Sequence, residues 1–485
     1  MPLRITLVTA PVDLETRYGR FSGASNTEPS FALVLLAAVA RRAGHEVQCL
    51  DASACNLSAT ETADRIDSFA PHLVGISATT VGIHAAGELA AILQARHPER
   101  PVIAGGCHAT ALPSETLKAF PPINLLVMGE GEATFAELLT ALESTGTLPD
   151  TLAGTAVRRG PDIHINPPRE LIHDLDSLPL PAWELLDGFP TRFHPSPARV
   201  LRWPCASVVL TRGCPNQCTF CDRSVFGNRC RSYSPDYAVR LFKDLRTRFG
   251  VREILVEDDT FVLQRRHVEA FCRELIDQRV DVTWSCLGRA DRVTPDLLRL
   301  MRQAGCWHLS FGIESGDPGI LKSVCKNLDL TQIRNAVQWC RDAGMVTKGF
   351  FIVGFPGETH ETLEATRRVA MNLPLDDISI MQMTPFPGSA LYHTAARTGT
   401  FNSDWRKMNA LNTVYVPTGL TLDDLESARS RILRSFYTRP SILLRHAARA
   451  LRHPRMGWGY LKGGMALLRI FQAPKTTSPG SPESV

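Results

Sequence analysis

Short apolar runs, each followed by a longer amphipathic stretch, recur along most of this chain. Leu3–Val8, Glu46–Leu50, Leu73–Ser77, Pro101–Ala104 and Leu125–Met128 are compact enough to be buried strands. Between them, Ser30–Ala43, Ala59–Phe69, Ile83–Arg96 and Ala133–Glu143 have helical spacing, and Gly44 closes the first of these helices. Five strands with helices between them predict an α/β domain, a doubly wound parallel sheet over residues 1–145. Residues 146–200 are weakly periodic and proline-containing (Pro167-Pro168, Leu178-Pro-Leu-Pro181) and predict a linker. From 201 the alternation resumes, with strands expected at Ala206–Leu210, Glu253–Val256, Val282–Cys286, Trp307–Gly312, Gly349–Val353 and Ile378–Met383. Helices are expected at 235–248, 264–278, 295–304, 330–343 and 359–372. Six βα units over 201–400 predict a partial (β/α)6 barrel, open on one side. A helical C-terminal extension over 401–472 and a disordered tail over 473–485 complete the expected layout.

Composition narrows the class. Of the 485 residues 44% are hydrophobic and 21% charged, which suits a globular protein with an ample core. The net charge of +4 is too mild to point to nucleic acid. Thirteen cysteines, an odd number, and no targeting segment fit a reducing compartment, so a cytoplasmic location is expected. No apolar run is long enough to span a bilayer.

The candidate chemistry centres on residues 211–222, Thr-Arg-Gly-Cys-Pro-Asn-Gln-Cys-Thr-Phe-Cys-Asp. Cys214, Cys218 and Cys221 stand in a Cys-x3-Cys-x2-Cys spacing after the strand at 206–210. Three thiolates can each take one iron of a cubane cluster and leave the fourth iron open to chelate a small molecule. A zinc site would want a fourth nearby ligand, and none follows at zinc-finger spacing. Cys205 and Cys230 flank the loop as spare thiols.

This loop resembles the signature of the radical S-adenosylmethionine (radical SAM) superfamily. The resemblance implies a 4Fe–4S cluster on Cys214, Cys218 and Cys221, with S-adenosylmethionine bound at its open iron and the backbone of Phe220 meeting the adenine. It further implies that Glu314, in the run Gly312-Ile-Glu-Ser315-Gly, bonds the ribose, and that Ile352, Gly354 and Gly357 pack on the adenine. Arg289 can pair the methionine carboxylate, or form a salt bridge to Asp291 or Asp258. Asp258 and Asp259, at the barrel mouth, are candidate catalytic residues contacting S-adenosylmethionine or substrate.

The N-terminal strand ends carry Ser77-Ala-Thr79-Thr80, Gly105-Gly106-Cys-His108 and Gly129-Glu130-Gly131-Glu132. Ser77-x-Thr79, followed by Gly105-Gly106, resembles the later parts of the cobalamin-binding fingerprint of flavodoxin-like domains. The earlier part, which contains a cobalt-ligating histidine, has no counterpart at Ser30–Leu36. The chain therefore resembles the cobalamin-binding radical SAM subfamily, in which the domain often lacks that histidine and holds cobalamin with its lower base displaced. His108 is a helix-capping loop residue or a cobalt ligand, and Glu130 and Glu132 serve a helix N-terminus or the cofactor.

The resemblance implies cleavage of S-adenosylmethionine to a 5′-deoxyadenosyl radical, with an electron donor such as a flavodoxin or ferredoxin. It further implies methylation of an unactivated carbon. The alternative is a radical oxidative cyclisation or rearrangement with the same cofactors, as in the anaerobic magnesium-protoporphyrin ester cyclases. From another class, the first domain can merely sense or store cobalamin. Between Ser427 and Lys475 the chain carries eleven basic residues and no acidic one. That segment is read as a cap over the barrel mouth or as a peripheral membrane contact, and it suggests a large, partly apolar or anionic small-molecule substrate.

Overall fold

The structure, a computed structural model, describes residues 1–19, 27–196 and 199–453, with isolated positions 457, 459, 464 and 465 beyond them. The expected tail at 473–485 lies outside these residues.

The first layer system is built from β1 (Arg4–Thr9), α1 (Phe31–Arg42), β2 (Glu46–Leu50), α2 (Ala59–Phe69), β3 (Leu73–Ser77), α3 (Ile83–Arg96), β4 (Val102–Gly105), β5 (Leu125–Val127) and α4 (Gly131–Thr145). Local signals set these bounds. Ser30 caps α1 by accepting from the Leu33 amide, and a Ser58–Glu61 capping box starts α2. Gly44 and Gly146 take positive φ where α1 and α4 stop. The five strands are parallel in the order β2-β1-β3-β4-β5, which reverses direction between β1 and β3 and opens a crevice at the strands' carboxyl ends.

The expected linker is in part sheet. β6 (Thr155–Arg159) and β7 (Asp162–Ile165) extend the first sheet antiparallel beyond β5, giving seven strands. An edge hairpin needs no hydrophobic run, because β7 is largely exposed and only Thr155, Ala156 and Val157 are buried.

The second system comprises β8 (Cys205–Val208), α5 (Pro235–Arg248), β9 (Glu253–Val256), α6 (Arg265–Asp277), β10 (Thr283–Gly288), α7 (Pro295–Gln303), β11 (Cys306–Glu314), α8 (Leu330–Asp342), β12 (Val346–Val353), α9 (His360–Asn372) and β13 (Asp377–Gln382). All six strands are parallel in the order β13-β12-β11-β10-β9-β8, a half barrel whose edges do not meet. Ala206, Val208, Ile254, Val256, Trp284, Cys286, Leu309 and Phe311 point outward into the core shared with the helices. The alternate positions line the concave face.

After β13 the chain crosses the barrel's upper end to the first domain. Trp405 packs against His84, His108 and Phe120, and the Asn409 side chain donates to the Thr16 carbonyl. Then follow α10 (Leu422–Tyr437) and α11 (Pro440–Arg452). The expectation that the basic segment caps the mouth is corrected for its described part, residues 427–453, while the remainder to 475 lies, isolated positions apart, outside the described residues. Arg445 and His446 of α11 bond Leu375 and Asp376, just before β13 and so at the end opposite the mouth. Among the described residues no helix is long and apolar enough to cross a membrane.

Candidate active site

The cysteine loop leaves β8 through a two-residue ribbon in which Thr211–Arg212 pairs antiparallel with Arg231–Ser232. Gly213 takes φ +83, and a side chain there would run into the carbonyls of Phe226 and Arg229, so the loop closes on itself only around a glycine. Asp258 is buried at the end of β9 and accepts the Leu210 amide at 2.7 Å, while Asp259 accepts the Gly213 amide. Burial raises Asp258 to about 7. Both proposed catalytic aspartates therefore have bonds to the loop that carries the cysteines.

All thirteen cysteines are free thiols. The Asn216 amide donates to Cys214 Sγ at 3.1 Å, and Cys218 is buried while Cys221 is exposed. Among the described residues no three Cys, His, Asp or Glu side chains converge as ligands of a single ion would. Three thiolates carried on one loop are the donor set of a cubane cluster with one corner left open. Although Cys221 is exposed as a residue, its thiol is turned into the loop, and that desolvation pushes it up to about 12, with Asp259, Cys218 and Cys214 adding to it and Lys326 opposing. A cationic iron group would relieve that crowding.

Glu314 lies at the end of β11 with φ +67 and pairs Lys326 at 2.7 Å, both side chains buried. A side chain at Gly312 would run into Glu314 Oε1, so the carboxylate lies across that glycine. Lys326 also faces the Phe220 ring at 6.0 Å. Arg289 pairs Asp291 at 3.0 Å and donates to the Lys326 carbonyl at 3.0 Å, the salt-bridge alternative. Ser315 is buried and turned to Thr366, holding the strand end. Ile352 packs in one cluster with Phe220 and Phe355. Gly354 and Gly357 take φ +98 and +81, and Glu358 accepts the Gly354 and Phe355 amides between them. Lys326 and Glu358 escaped the sequence reading because single charged residues after a strand carry no pattern.

In the first domain a cavity of about 320 Å³ opens at the sheet's carboxyl end. Ser77, Gly105, Gly106, Gly129, Glu130, Gly131 and Glu132 line its rim, and Leu7, Phe31, Leu35, Ile103, Val127 and Phe135 its apolar depth. Gly106 has φ +117, and any side chain there would strike the Ala78 carbonyl oxygen. Thr79, Thr80 and His108 are not in the wall. Thr79 is exposed, and His108 is buried, with Nδ1 3.3 Å from Thr80 Oγ1 and its ring edge-on to Trp405 at 4.5 Å. Burial lowers His108 to about 4, so its ring is neutral at pH 7. No histidine lines the cavity among the described residues.

The two sites are bolted together. Arg212, two residues before Cys214, reaches Glu130 Oε1 at 2.8 Å and Glu132 Oε1 at 2.6 Å, and Arg231 reaches Glu130 Oε2 at 2.8 Å. Arg212 is only 3% exposed and itself lines the cavity. Sequence reasoning placed Glu130 and Glu132 at a helix start or a ligand but could not supply Arg212, which is 82 and 80 residues away in the chain.

A protein-family model of the radical SAM superfamily matches residues 208–370, and one of the B12 binding domain matches residues 23–139. An uncharacterised methyltransferase of Pyrococcus horikoshii is 32% identical over 445 residues, covering 91% of this chain and 94% of that one. The anaerobic magnesium-protoporphyrin IX monomethyl ester cyclase of Rubrivivax gelatinosus is 29% identical over 427 residues, covering 87% and 75%. A solved structure of the radical S-adenosylmethionine methyltransferase TsrM of Kitasatospora setae, with cobalamin and a 4Fe–4S cluster bound, superposes with a TM-score of 0.70 at 18% identity. That match covers 91% of this chain and 90% of the other, and it is a likeness of fold.

Proposed function

We propose, from the premise that this chain belongs to the B12-binding radical SAM family and is a cobalamin-dependent radical SAM enzyme, that it methylates an unactivated carbon. A 4Fe–4S cluster, S-adenosylmethionine and cobalamin are its cofactors. When bound, the cluster supplies the electron that cleaves S-adenosylmethionine to a radical, and cobalamin supplies a methyl carrier.

In this reading Cys214, Cys218 and Cys221 hold the cluster. Phe220, Ile352, Gly354 and Gly357 form the floor for the adenine, and Glu314 meets the ribose after exchanging its bond to Lys326. Ser77, Gly105, Gly106 and the Gly129–Glu132 turn, with the apolar cavity they border, would hold the cobalamin. Asp258 and Asp259 position the cluster loop.

The observation that carries the reading is the Arg212 bolt, which ties the cysteine loop directly to the wall of the apolar cavity. One substrate can therefore face both cofactors. A flavodoxin or ferredoxin is the expected electron donor.

The test is to incubate the reconstituted enzyme with S-adenosylmethionine bearing a deuterated methyl group and an extract of small molecules. Label in a new product, together with methionine and 5′-deoxyadenosine, is expected. The similarity to the cyclase favours a second reading, which predicts the same cleavage with no label transferred.

We also read α11 as a peripheral membrane contact. Its inward side carries the buried Ile442 together with Arg445 and Arg449, which pair with Asp376. Leu443, Leu444 and Leu451 are 55%, 70% and 82% exposed. A helix with leucines outward and a basic surround suits an anionic lipid surface.

A further inference from the structure

After β13 the chain makes an excursion whose two ends meet, the Gln382 amide donating to the Ala410 carbonyl at 2.9 Å. Between those ends it touches both halves of the site in turn. The Leu391 amide donates at 3.0 Å to the carbonyl of Thr219, which stands between Cys218 and Phe220. A side chain on Gly388 would run into the carboxylate of Asp222, next to Cys221. Further on, Trp405 reaches the first domain, with ring centroids 4.5 Å from His108, 5.9 Å from His84 and 6.5 Å from Phe120. These three rings come from separate elements: the first turn of α3, the short helix Cys107–Ala111, and the chain before β5. The sequence makes room for them. Glycine is a poor residue inside a helix, yet Gly87 stands within α3, and any side chain there would strike the Phe120 ring.

His108 stands directly behind the cavity of the first domain. Gly106 and Cys107, just before it, line that cavity, and so does Ser77, which pairs in register with Gly105. Gly106 runs against the Ala78 carbonyl, so the loops after β3 and β4 are in contact. His108 Nδ1 meets Thr80 Oγ1 at 3.3 Å and pins the same two loops together from behind. His108 is 0% exposed and its Nε2 has no partner, so hydrogen bonding holds the ring at one point, and by a long bond. A ring held at one point can turn. Trp405, packed edge-to-face against it at 71°, removes that freedom.

We propose that Trp405 is a positioning residue for the corrinoid. Acting through His108 and Thr80, it fixes the two loops that border the cavity and ties them, along residues 383–409, to the loop that carries the cysteines. The proposal rests on the reading of the cavity as the cobalamin site. It extends that site to a part of the chain that neither α/β system contains, and it holds whether methyl transfer or cyclisation follows.

The test titrates hydroxocobalamin into the full chain carrying its reconstituted cluster and follows binding by visible absorption. Trp405→Ala is expected to weaken binding about fivefold, the scale of one aromatic contact, and Trp405→Phe to restore it to within about twofold of the parent. Trp405 is only partly buried and lies outside both sheets, so iron and sulfide content should stay at the parent's level in both variants. Thr80→Val should bring a loss similar to that of Trp405→Ala, and the double variant no greater loss than either, because both act through one ring. Leu93→Ala supplies the control: Leu93 is buried at the far end of α3, so this variant should lower the unfolding temperature and leave corrinoid affinity unchanged. Unaltered binding in Trp405→Ala, an equal loss in Leu93→Ala, no restoration by Phe, additive losses in the double variant, or loss of the cluster together with the corrinoid would overturn the proposal. A parent that takes up no hydroxocobalamin would overturn the reading of the cavity and this inference with it. A parent that binds, with Trp405→Ala binding equally well, ends this inference alone.

Discussion

Cys214, Cys218 and Cys221 are the residues on which the cofactor chemistry turns, and each is expected to be individually indispensable. Replacing any one by Ala should abolish the 4Fe–4S complement, whereas Cys205→Ala and Cys230→Ala should retain it. Iron and sulfide analysis of the five variants decides, and a full complement in any triad variant would contradict the assignment. A second expectation concerns Glu253, buried at the base of β9, where it accepts from Trp307 Nε1 at 2.6 Å and from Thr283. Burial raises it from 4.5 to about 7, so the folded protein holds this proton more tightly than the unfolded chain does. Its contribution is fully present below pH 4.5 and is lost as pH rises through 7, a change of about 3 kcal/mol. Urea midpoints between pH 5 and 8 should fall in the parent and fall less steeply in Glu253→Gln, where Asp258, also raised to about 7, still titrates.

At the scale of elements, the glycine turns after β4 and β8 decide where backbone can approach backbone. Gly106→Ala forces a Cβ into the Ala78 carbonyl and a non-glycine residue into φ +117. A loss of about 2 kcal/mol in first-domain stability is expected, with weakened retention of corrinoid. Thermal unfolding and the visible corrinoid spectrum after gel filtration measure the two effects. The strands and helices themselves were readable almost residue for residue. Glu46–Leu50, Ala59–Phe69, Leu73–Ser77, Ile83–Arg96 and Glu253–Val256 coincide with the expectation, because buried parallel strands and amphipathic helices leave unmistakable periods. The β6–β7 hairpin was not readable, since an edge ribbon with one wet face carries only a faint alternation.

At the scale of the whole molecule, two contacts set how the domains and their surroundings meet. Arg212→Met would leave Glu130 and Glu132 buried with the loss of a shared cation, a penalty of about 3–5 kcal/mol. We expect a lower unfolding temperature and faster proteolysis between the domains, with the Cys triad still able to take up iron. If Arg212→Met matches the parent in stability and protease resistance, the bolt is not what joins the domains. For α11, the full chain is expected to float with vesicles containing phosphatidylserine but not with neutral ones. Leu444→Asp combined with Leu451→Asp should reduce binding more than tenfold, because each buried leucine is worth about 1.5–3 kcal/mol. Flotation unchanged by the double variant would end the membrane reading.

By itself the sequence determined the two α/β systems, the order of their strands in the chain, the cysteine triad and the glycine-rich strand ends. These are local features, written in hydrophobic period, in cysteine spacing and in glycines at sharp turns. Only the tertiary structure decided which polar residues answer one another across the chain. It paired Arg212 with Glu130 and Glu132, and Glu314 with Lys326. It also turned His108 away from the cavity, and it set α11 at the far end of the barrel with its leucines outward. An ion pair between distant residues has no period and no fixed spacing, so its partner becomes legible only when folding brings the two charges into the same dry space.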